Sequence, residues 1–483
     1  MSKIRKQILP CFASLCLVLQ SCAPSLPQYK NVPSEKINAP QNFPKQTEGD
    51  DTDETADLVA KNWKLFFEDP QLVSLIEIAL TNNQDLNILD QQISIASNEI
   101  MARQGQYLPK VGIAGALQTE KTSKLSSRGA TDEAAGLPNH LNNRTLEINA
   151  SWEVDIWKKL RNFAKSAYYE YLASIEGRKF MVTQIVAEVS SDYFELMALD
   201  NQLEIVDQYI KTLQQAQNVI ELQRLAARTD SLAVKRFAAE VLKNKSRHYE
   251  IQQQIIVTEN HLNTLLGRLP QPIERPSKKF IDIKMQQVAT NVPSDLLNNR
   301  PDVKEAALKL EATKLSVKAV KAQFYPSLNI DANLGYTSFN GKHFINTPTT
   351  LFYDAAAGLT APLLNRNAIK AEYFSANNRQ IEAIYNYEQT FIKAFAEVSN
   401  QLAAVKNLKQ IYSLKAQQTK ALAQSFEISN DLFRAARVTY LESLLTRRDY
   451  LESQMQLMEI KQQQLAAYVN LYRALGGGWR NEQ

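Results

Sequence analysis

The stretch that decides the fold runs from residue 146 to residue 156 and reads LEINASWEVDI. Its side chains alternate, so that Leu146, Ile148 and Trp152 fall on one side and Glu147 and Asn149 on the other. A period of two residues predicts a β-strand with one apolar and one polar face. Two later segments alternate in the same way, and a further segment at 111–117 also lacks a helical period, so we predict strands at about 108–118, 144–157, 326–338 and 350–363. Strands of this length can cross a membrane when they are tilted.

The four predicted strands fit either a sheet half-buried on a soluble core or the wall of a membrane barrel. Two features favour the barrel. The polar faces carry acids and amides, as the lining of a water-filled lumen does, and Tyr107, Trp157, Phe324 and Tyr325 flank the strands as an aromatic belt. Four strands cannot close a barrel alone, and lipid does not tolerate an open edge. We therefore predict that three copies contribute twelve strands to one closed wall.

Most of the remaining sequence has the composition of long helices. Only 14 Gly and 17 Pro punctuate the 483 residues. We predict helices at about 160–266 and 366–475, each broken once, near 226–232 and near 435–441. A helix of about 65 residues would extend on the order of 100 Å, which is too long for a compact globule and favours side-by-side packing in coiled coils. The predicted fold class is mainly α with a membrane β-barrel.

The sequence also repeats itself. The tetrapeptide AEVS at 187–190 returns at 396–399, an offset of 209 residues. The same offset relates residues 226–228 to 435–437 and residues 266–267 to 475–476. A shared offset over this length indicates a duplication. We predict a first structural repeat at 58–270 and a second at 271–483, each with two strands followed by long helices.

The N-terminus is typical of an exported protein. In residues 1–21, three cations precede an apolar run from Ile8 to Leu19, as in a secretory signal peptide. The run ends in LQSC, which resembles the lipobox of bacterial lipoproteins, in which the cysteine becomes the first residue and carries acyl chains such as palmitate. Cys22 is therefore the candidate lipidation site, and an ordinary signal peptide with a chance cysteine is the alternative. Residues 22–57 are rich in proline and acids and are predicted to form a flexible tether.

Several function classes find no support in the sequence. The formal net charge is only +4, and no basic face suggests a nucleic-acid partner. The four histidines have no metal-ligand spacing with one another or with a cysteine, so we predict no metal site and no cofactor. Neither a phosphate-binding glycine loop nor a nucleophile elbow is present, which argues against an enzyme. The histidines are His140, His248, His261 and His343.

Five stretches of the sequence, together with its duplication, resemble a known family. The stretches are 63–80, 265–270, 293–303 (PSDLLNNRPDV), 324–326 and 396–399. Together they resemble the outer-membrane factor family of TolC-like and OprM-like channels, and most of all its lipoprotein branch that serves resistance-nodulation-division (RND) pumps. The resemblance covers nearly all of the chain after the tether.

The resemblance implies a homotrimer in the outer membrane, in contact with its lipid, with a helical barrel that extends into the periplasm. It also implies two partners, a periplasmic adaptor protein and an inner-membrane RND-type transporter that supplies the energy. The channel itself would conduct drugs and other toxic small molecules passively. Two alternatives stay open: a type I protein secretion channel, and a non-conducting trimeric helical stalk.

The resemblance further places helix-turn-helix tips at the two predicted helix breaks. In the family, a ring of acids just above the second tip closes the channel. Glu442 falls on the first acidic position, whereas the next one is Leu445 here. The alternative for Glu442 is an exposed acid paired with Arg437 or Arg447.

The first tip departs from the family pattern as well. The acid that would match Glu442 is Ala233, with Asp230 nearby, and the glycine of each family tip is Ala227 or Ala436 here. Arg228 and the corresponding Arg437 are candidates for an adaptor contact, or else for a solvated or helix-capping role.

Overall fold

The computed structural model describes residues 63–138, 140–284, 297, 299–362, 366–435 and 437–479. The predicted signal peptide, Cys22 and the tether lie outside the described residues. The described chain forms two compact units. The first contains residues 93–173 and 307–386, and the second contains residues 63–92, 174–306 and 387–479.

Nine helices and four strands make up the described residues, together with short 3-10 turns at Ser277–Asp282 and Gly341–His343. In chain order they are α1 (Trp63–Phe66), α2 (Pro70–Asn82), α3 (Gln84–Gln106), β1 (Lys110–Glu120), α4 (Ser127–Ala134), β2 (Leu141–Val154), α5 (Lys159–Leu225), α6 (Ser231–Leu265), α7 (Pro301–Ala322), β3 (Ser327–Ser338), β4 (Leu351–Thr360), α8 (Asn367–Arg434) and α9 (Tyr440–Ala474).

The first unit contains one antiparallel sheet in the order β1-β2-β3-β4. Ile148 pairs with Ile113 on β1 and with Leu334 on β3, which in turn pairs with Tyr353 on β4. All four of these side chains are exposed, by 49%, 77%, 50% and 82% respectively. One face of the sheet is therefore an uncovered apolar surface.

The opposite face of the sheet carries a polar row. Asn149 pairs with Gly112 and with Asn333, and Asn333 pairs with Asp354. The Asn333 amide donates to the Asp354 carboxylate at 3.1 Å. Because side chains alternate along each strand, this row lies on the side away from the apolar row.

The strand ends differ by a few residues from the predicted segments. β1 begins at Lys110 because Tyr107 and Leu108 still close backbone turns on Gln104 and Gly105 at the end of α3. β2 begins at Leu141 because its ladder with β1 continues up to the pair Glu120 and Leu141.

Aromatic side chains are fixed at one end of the sheet. The Trp152 indole N–H donates to the Tyr107 carbonyl at 3.0 Å, and that of Trp157 donates to the Pro326 carbonyl at 2.8 Å. The Trp157 ring stacks on Tyr325 with 4.9 Å between centroids. Both indoles thus satisfy their single donor.

No helix in the described part of the chain is both long enough and apolar enough to span a membrane.

The second unit has an aromatic core. Phe66 of α1 stacks on Tyr468 and Tyr472 of α9, with centroid distances of 5.0 and 4.1 Å. Asp69 caps α2 by accepting from the Gln71 N–H at 2.9 Å, and it also accepts from the Tyr193 hydroxyl at 2.7 Å. The N-terminal end of the described chain is thereby bound to both α5 and α9.

Two helical hairpins, α5-α6 and α8-α9, turn within the second unit. α6 and α9 both contain 35 residues, and their first residues, Ser231 and Tyr440, differ by the same 209 positions as the sequence repeats. α6 is followed by a left-handed residue, Gly267, at φ +64°, where a Cβ would clash with the Asn82 carbonyl oxygen. Glycine is therefore required at this position.

Candidate functional site

The first hairpin turn joins α5 to α6. The Ala227 N–H donates to the Arg224 carbonyl at 3.0 Å, and the Arg228 N–H donates to the Gln223 carbonyl at 2.8 Å. This pair of bonds is a Schellman motif, which requires a left-handed residue after the helix. That residue is Ala227, at φ +55°. Alanine is strained by about 1 kcal/mol in this conformation, whereas glycine is not.

Asp230 ends the same turn as the N-cap of α6. Its carboxylate accepts from the Ala233 N–H at 3.0 Å. Ala233, which the resemblance places at an acidic position, is fully buried. The structure therefore gives Asp230 a capping role and leaves no room for an exposed charge at Ala233.

The second turn, between α8 and α9, closes with the corresponding backbone hydrogen bond between residues five positions apart. The Arg437 N–H donates to the Leu432 carbonyl at 2.8 Å. Ala436, which precedes it, lies outside the described residues. Thr439 is the N-cap of α9.

Glu442 forms a capping box with Thr439. Its carboxylate accepts from the Thr439 N–H at 2.9 Å and from the Thr439 hydroxyl at 3.0 Å, while its own N–H donates to that hydroxyl at 3.3 Å. The Thr439 N–H, and then its hydroxyl, hold the pKa of Glu442 below its usual value because they stabilise the anion.

The structure does not bring Glu442 to either arginine considered for it. Among the ion pairs of the described residues, none includes Glu442, Arg228 or Arg437. Arg228 and Arg437 are exposed, and each follows the last turn of a long helix. The two turns thus present one solvated cation each, at corresponding positions of the repeats.

Arg447 lies on α9, two helical turns after the Thr439 cap. Its side chain is buried, which the sequence did not predict. Its side chain donates to Asn430 at 2.6 Å and more weakly to Ser443 at 3.4 Å. The guanidinium also lies over the Phe426 ring, 5.0 Å from its centroid. Burial lowers the pKa of Arg447, since no carboxylate among the described residues compensates its charge.

The two helices of the first hairpin are also joined by an ionisable pair. His261 on α6 lies 2.6 Å from the Asp192 carboxylate on α5. Burial raises the pKa of Asp192 to about 6, and the hydrogen bond to Asp192 raises the pKa of His261. Within the described ranges, no group of three or more His, Cys, Asp or Glu side chains could hold a metal ion.

The sequence model of the outer membrane efflux protein family matches residues 75–268 and 292–477, which is most of the chain. The chain belongs to this family.

Other outer membrane efflux proteins match this chain along nearly their whole length. The chain is 26% identical over 472 residues to the pyoverdine export outer membrane protein OpmQ of Pseudomonas putida, covering 97% of each chain. It is 24% identical over 466 residues to the probable outer membrane lipoprotein SilC of Salmonella typhimurium, covering 96% and 98%. The crystal structure of VceC from Vibrio cholerae superposes with a TM-score of 0.77 at 22% identity, covering 86% and 98%.

Family membership confirms the main expectations from the sequence. The protein is an outer-membrane component of an efflux pump, and it is a channel rather than an enzyme. The fold class is confirmed as well, since the solved relatives combine a helical barrel with a β-barrel.

Proposed function

We propose that three copies of this efflux protein form one duct that conducts small molecules passively to the outside. The observation that carries the proposal is the four-stranded sheet of the first unit. Its outer strands, β1 and β4, each have one partner only within the described chain. Because an open strand edge is not tolerated in lipid, β4 of one copy pairs with β1 of the next until twelve strands close the wall.

The two faces of the sheet support the same proposal. The apolar row through Ile148 faces lipid, and the polar row through Asn149, Asn333 and Asp354 faces a water-filled lumen. A polar lumen lets solutes pass without binding tightly to the wall.

The energy and the cargo come from partners. We propose a periplasmic adaptor that docks at the hairpin turns and an inner-membrane RND-type transporter behind it. Arg228 and Arg437 are the candidate adaptor contacts, since both are exposed and free of ion pairs within the described chain. The cargo is a small molecule, as the names of relatives such as the toluene efflux pump protein TtgC of Pseudomonas putida suggest.

Cys22 is the proposed lipid anchor. It follows the predicted signal peptide 1–21 and precedes the predicted tether 22–57. The likeness to SilC, a probable lipoprotein, supports this assignment. The acyl chains would hold the tether at the inner surface of the outer membrane.

Glu442 and Asp230 are the proposed gate acids. Both cap the second helix of a hairpin, so each carboxylate is held at a fixed place in its turn. Threefold repetition would bring three Glu442 carboxylates around one axis, where like charges repel anions and attract cations. A single residue would thus order the turn and charge the entrance.

The experiment that tests the proposed duct combines assembly with conductance. Protein extracted from outer membranes in mild detergent should have the mass of a trimer, and planar bilayers that contain it should conduct ions in discrete steps. A type I secretion channel would also conduct, but it would export a protein when it is coupled to a transporter. A trimer that passes no ions even as the Glu442→Ala variant would instead be a stalk, and the duct would be rejected.

A further inference from the structure

A groove runs between three long helices of the second unit. It is lined by residues of α5, α6 and α9 and has a volume of about 650 Å³. The lining residues run from Arg247 to Thr258 on α6 and from Glu452 to Gln463 on α9. At a rise of 1.5 Å per residue the groove is roughly 16 Å long, which leaves a cross-section of roughly 40 Å². An α-helix about 10 Å across has twice that cross-section, so the groove fits an extended small molecule better than a helix.

The charge of the groove is negative. Glu195 of α5, Glu250 of α6 and Glu459 of α9 line it, and none of the three forms an ion pair within the described chain. Glu452 is paired with Arg247 at 3.0 Å, and Arg247 is the only cation among the described residues that line the groove. A cleft with one sign of charge concentrates counter-ions, so this groove attracts cations.

The carboxylates of the groove are too far apart for a single metal ion. Nowhere in the described ranges do three or more His, Cys, Asp or Glu side chains approach one another closely enough to hold one. A ligand that contacts Glu195, Glu250 and Glu459 together must therefore carry several cationic groups along its length. This requirement excludes a point charge such as Mg²⁺ and favours an organic polycation.

The groove also has apolar lining. Leu199, Ile251 and Met455 line it and are buried, and all three belong to one core cluster. Each comes from a different helix, α5, α6 and α9 respectively. Methylene groups between two cationic groups can pack on such a surface while the charges stay with carboxylates. The lining thus matches a ligand in which aliphatic and charged segments alternate.

One buried hydroxyl group also lines the groove. Thr258 is only 8% exposed and is part of the lining. On the same helix the Thr264 hydroxyl donates to the Asn260 carbonyl at 2.9 Å, whereas the Thr258 hydroxyl has no hydrogen-bond partner in the part of the chain that the structure describes. An unsatisfied buried hydroxyl costs free energy. An ammonium group in the groove would supply the missing donor.

We propose that this groove binds a linear polyamine, an aliphatic chain that carries several ammonium groups. The ammonium groups pair with Glu195, Glu250 and Glu459, and one of them donates to the Thr258 hydroxyl. The methylene segments lie on the apolar lining. Because the walls belong to both hairpins of one chain, the bound polyamine joins the first hairpin to the second. The site is complete within one chain and does not depend on the proposed duct.

Calorimetric titration of the detergent-extracted protein with spermine tests the site. The double variant Glu250→Gln with Glu459→Gln should raise the Kd by about tenfold or more, because two charge pairs are lost. The matched control is Glu204→Gln with Glu427→Gln, which removes the same charge from exposed positions outside the groove. Its Kd should stay within about twofold of wild type, since solvent screens distant charges. Mg²⁺ at matched ionic strength should not displace spermine.

Three outcomes of this titration would overturn the polyamine site. They are no spermine binding to the wild-type protein, equal weakening in the groove variant and its control, and displacement of spermine by Mg²⁺ at matched ionic strength. A conducting trimer that fails to bind spermine would leave the duct standing. Spermine binding to a protein that forms no trimer would instead reject the duct and keep the polyamine site.

A second pair of variants covers the case in which the double variant is not produced. Gln463 lines the groove and donates to Glu459, four residues earlier, at 3.4 Å. Gln463→Lys places a tethered ammonium group there, so spermine affinity should fall by about threefold or more. Gln208 donates to Glu204 at the same spacing, at 3.2 Å, but lies outside the groove, so Gln208→Lys should keep the wild-type affinity. Wild-type affinity in both variants would overturn the polyamine site.

Discussion

At the scale of the residue, the two hairpin turns are held by caps rather than by ion pairs. Asp230 and Glu442 each accept a backbone N–H at the start of a helix. The spacing of Thr439 and Glu442 is the sequence signature of a capping box, so this role could have been predicted. The burial of Arg447 could not, because it depends on Asn430 and Phe426 of another helix.

Ala227→Gly should stabilise the protein. The left-handed backbone at Ala227, φ +55°, strains an alanine but not a glycine, so the expected gain is about 1 kcal/mol in the free energy of unfolding. Thermal unfolding in detergent measures it. Ala239→Gly is the control, since an exposed position inside α6 should lose about 1 kcal/mol instead. A loss of stability at both positions would contradict the cap.

Glu442→Gln separates the charge of Glu442 from its cap. Glutamine can complete a capping box, so thermal stability should stay at the wild-type value. The preference of the channel for cations, measured as a reversal potential across a salt gradient, should fall because the charge at the entrance is lost. Glu442→Ala should reduce both quantities. An unchanged reversal potential in both variants would leave Glu442 with the cap alone.

At the scale of the element, the strands and long helices follow from the sequence because both have a regular apolar period. Alternation in LEINASWEVDI is a local property, and β2 indeed contains most of that stretch. Contacts between helices do not follow from a local period of the sequence. α6 and α9 have the same length, yet Leu451 of α9 is buried whereas Leu242, the corresponding residue of α6 at the offset of 209, is 67% exposed. Only the packing of the two hairpins decides this, and no local pattern reports it.

The pair of Asp192 and His261 should make the α5-α6 hairpin less stable as pH rises. The pKa of His261 lies above 6.5 in the folded chain, so its stabilisation is complete below pH 6.5 and is lost as pH rises through the raised value. Asp192 has a folded pKa of about 6 against an ordinary 3.8, so it also binds its proton more tightly when folded. Stability therefore falls as pH rises, through Asp192 between 3.8 and about 6 and through His261 above 6.5.

Thermal unfolding over this pH range checks that prediction. The difference in midpoint between wild type and His261→Gln should be largest near pH 6 and should shrink at higher pH. Asn260→Gln, a change at an exposed neighbour on α6, serves as the control and should give a constant difference. A difference for His261→Gln that grows with pH would contradict the assignment.

At the scale of the whole molecule, the four strands of one chain form only part of a barrel wall. The sequence predicts this, since four amphipathic strands cannot close a barrel in lipid. Which helices meet between copies cannot be predicted from the strands, because the alternating pattern describes the sheet alone.

Cys22→Ser tests the anchor against the barrel. The N-terminal peptide of the wild-type protein should carry the added mass of acyl chains, and the variant should lose it. Because the barrel itself holds the protein in the membrane, conductance of the variant trimer in bilayers should match wild type. Ala23→Ser is the control, which should keep the acyl chains. An unmodified Cys22 in the wild-type protein would reject the anchor.

The two free edges of the sheet have a genetic consequence. A proline in β4 that blocks pairing with the next copy would affect more than its own chain. Any trimer that includes this chain would have an open barrel wall. In a cell that carries one normal and one altered gene, only a small minority of the trimers contain normal chains alone. Such an allele would therefore be dominant, whereas a deletion of the gene would be recessive.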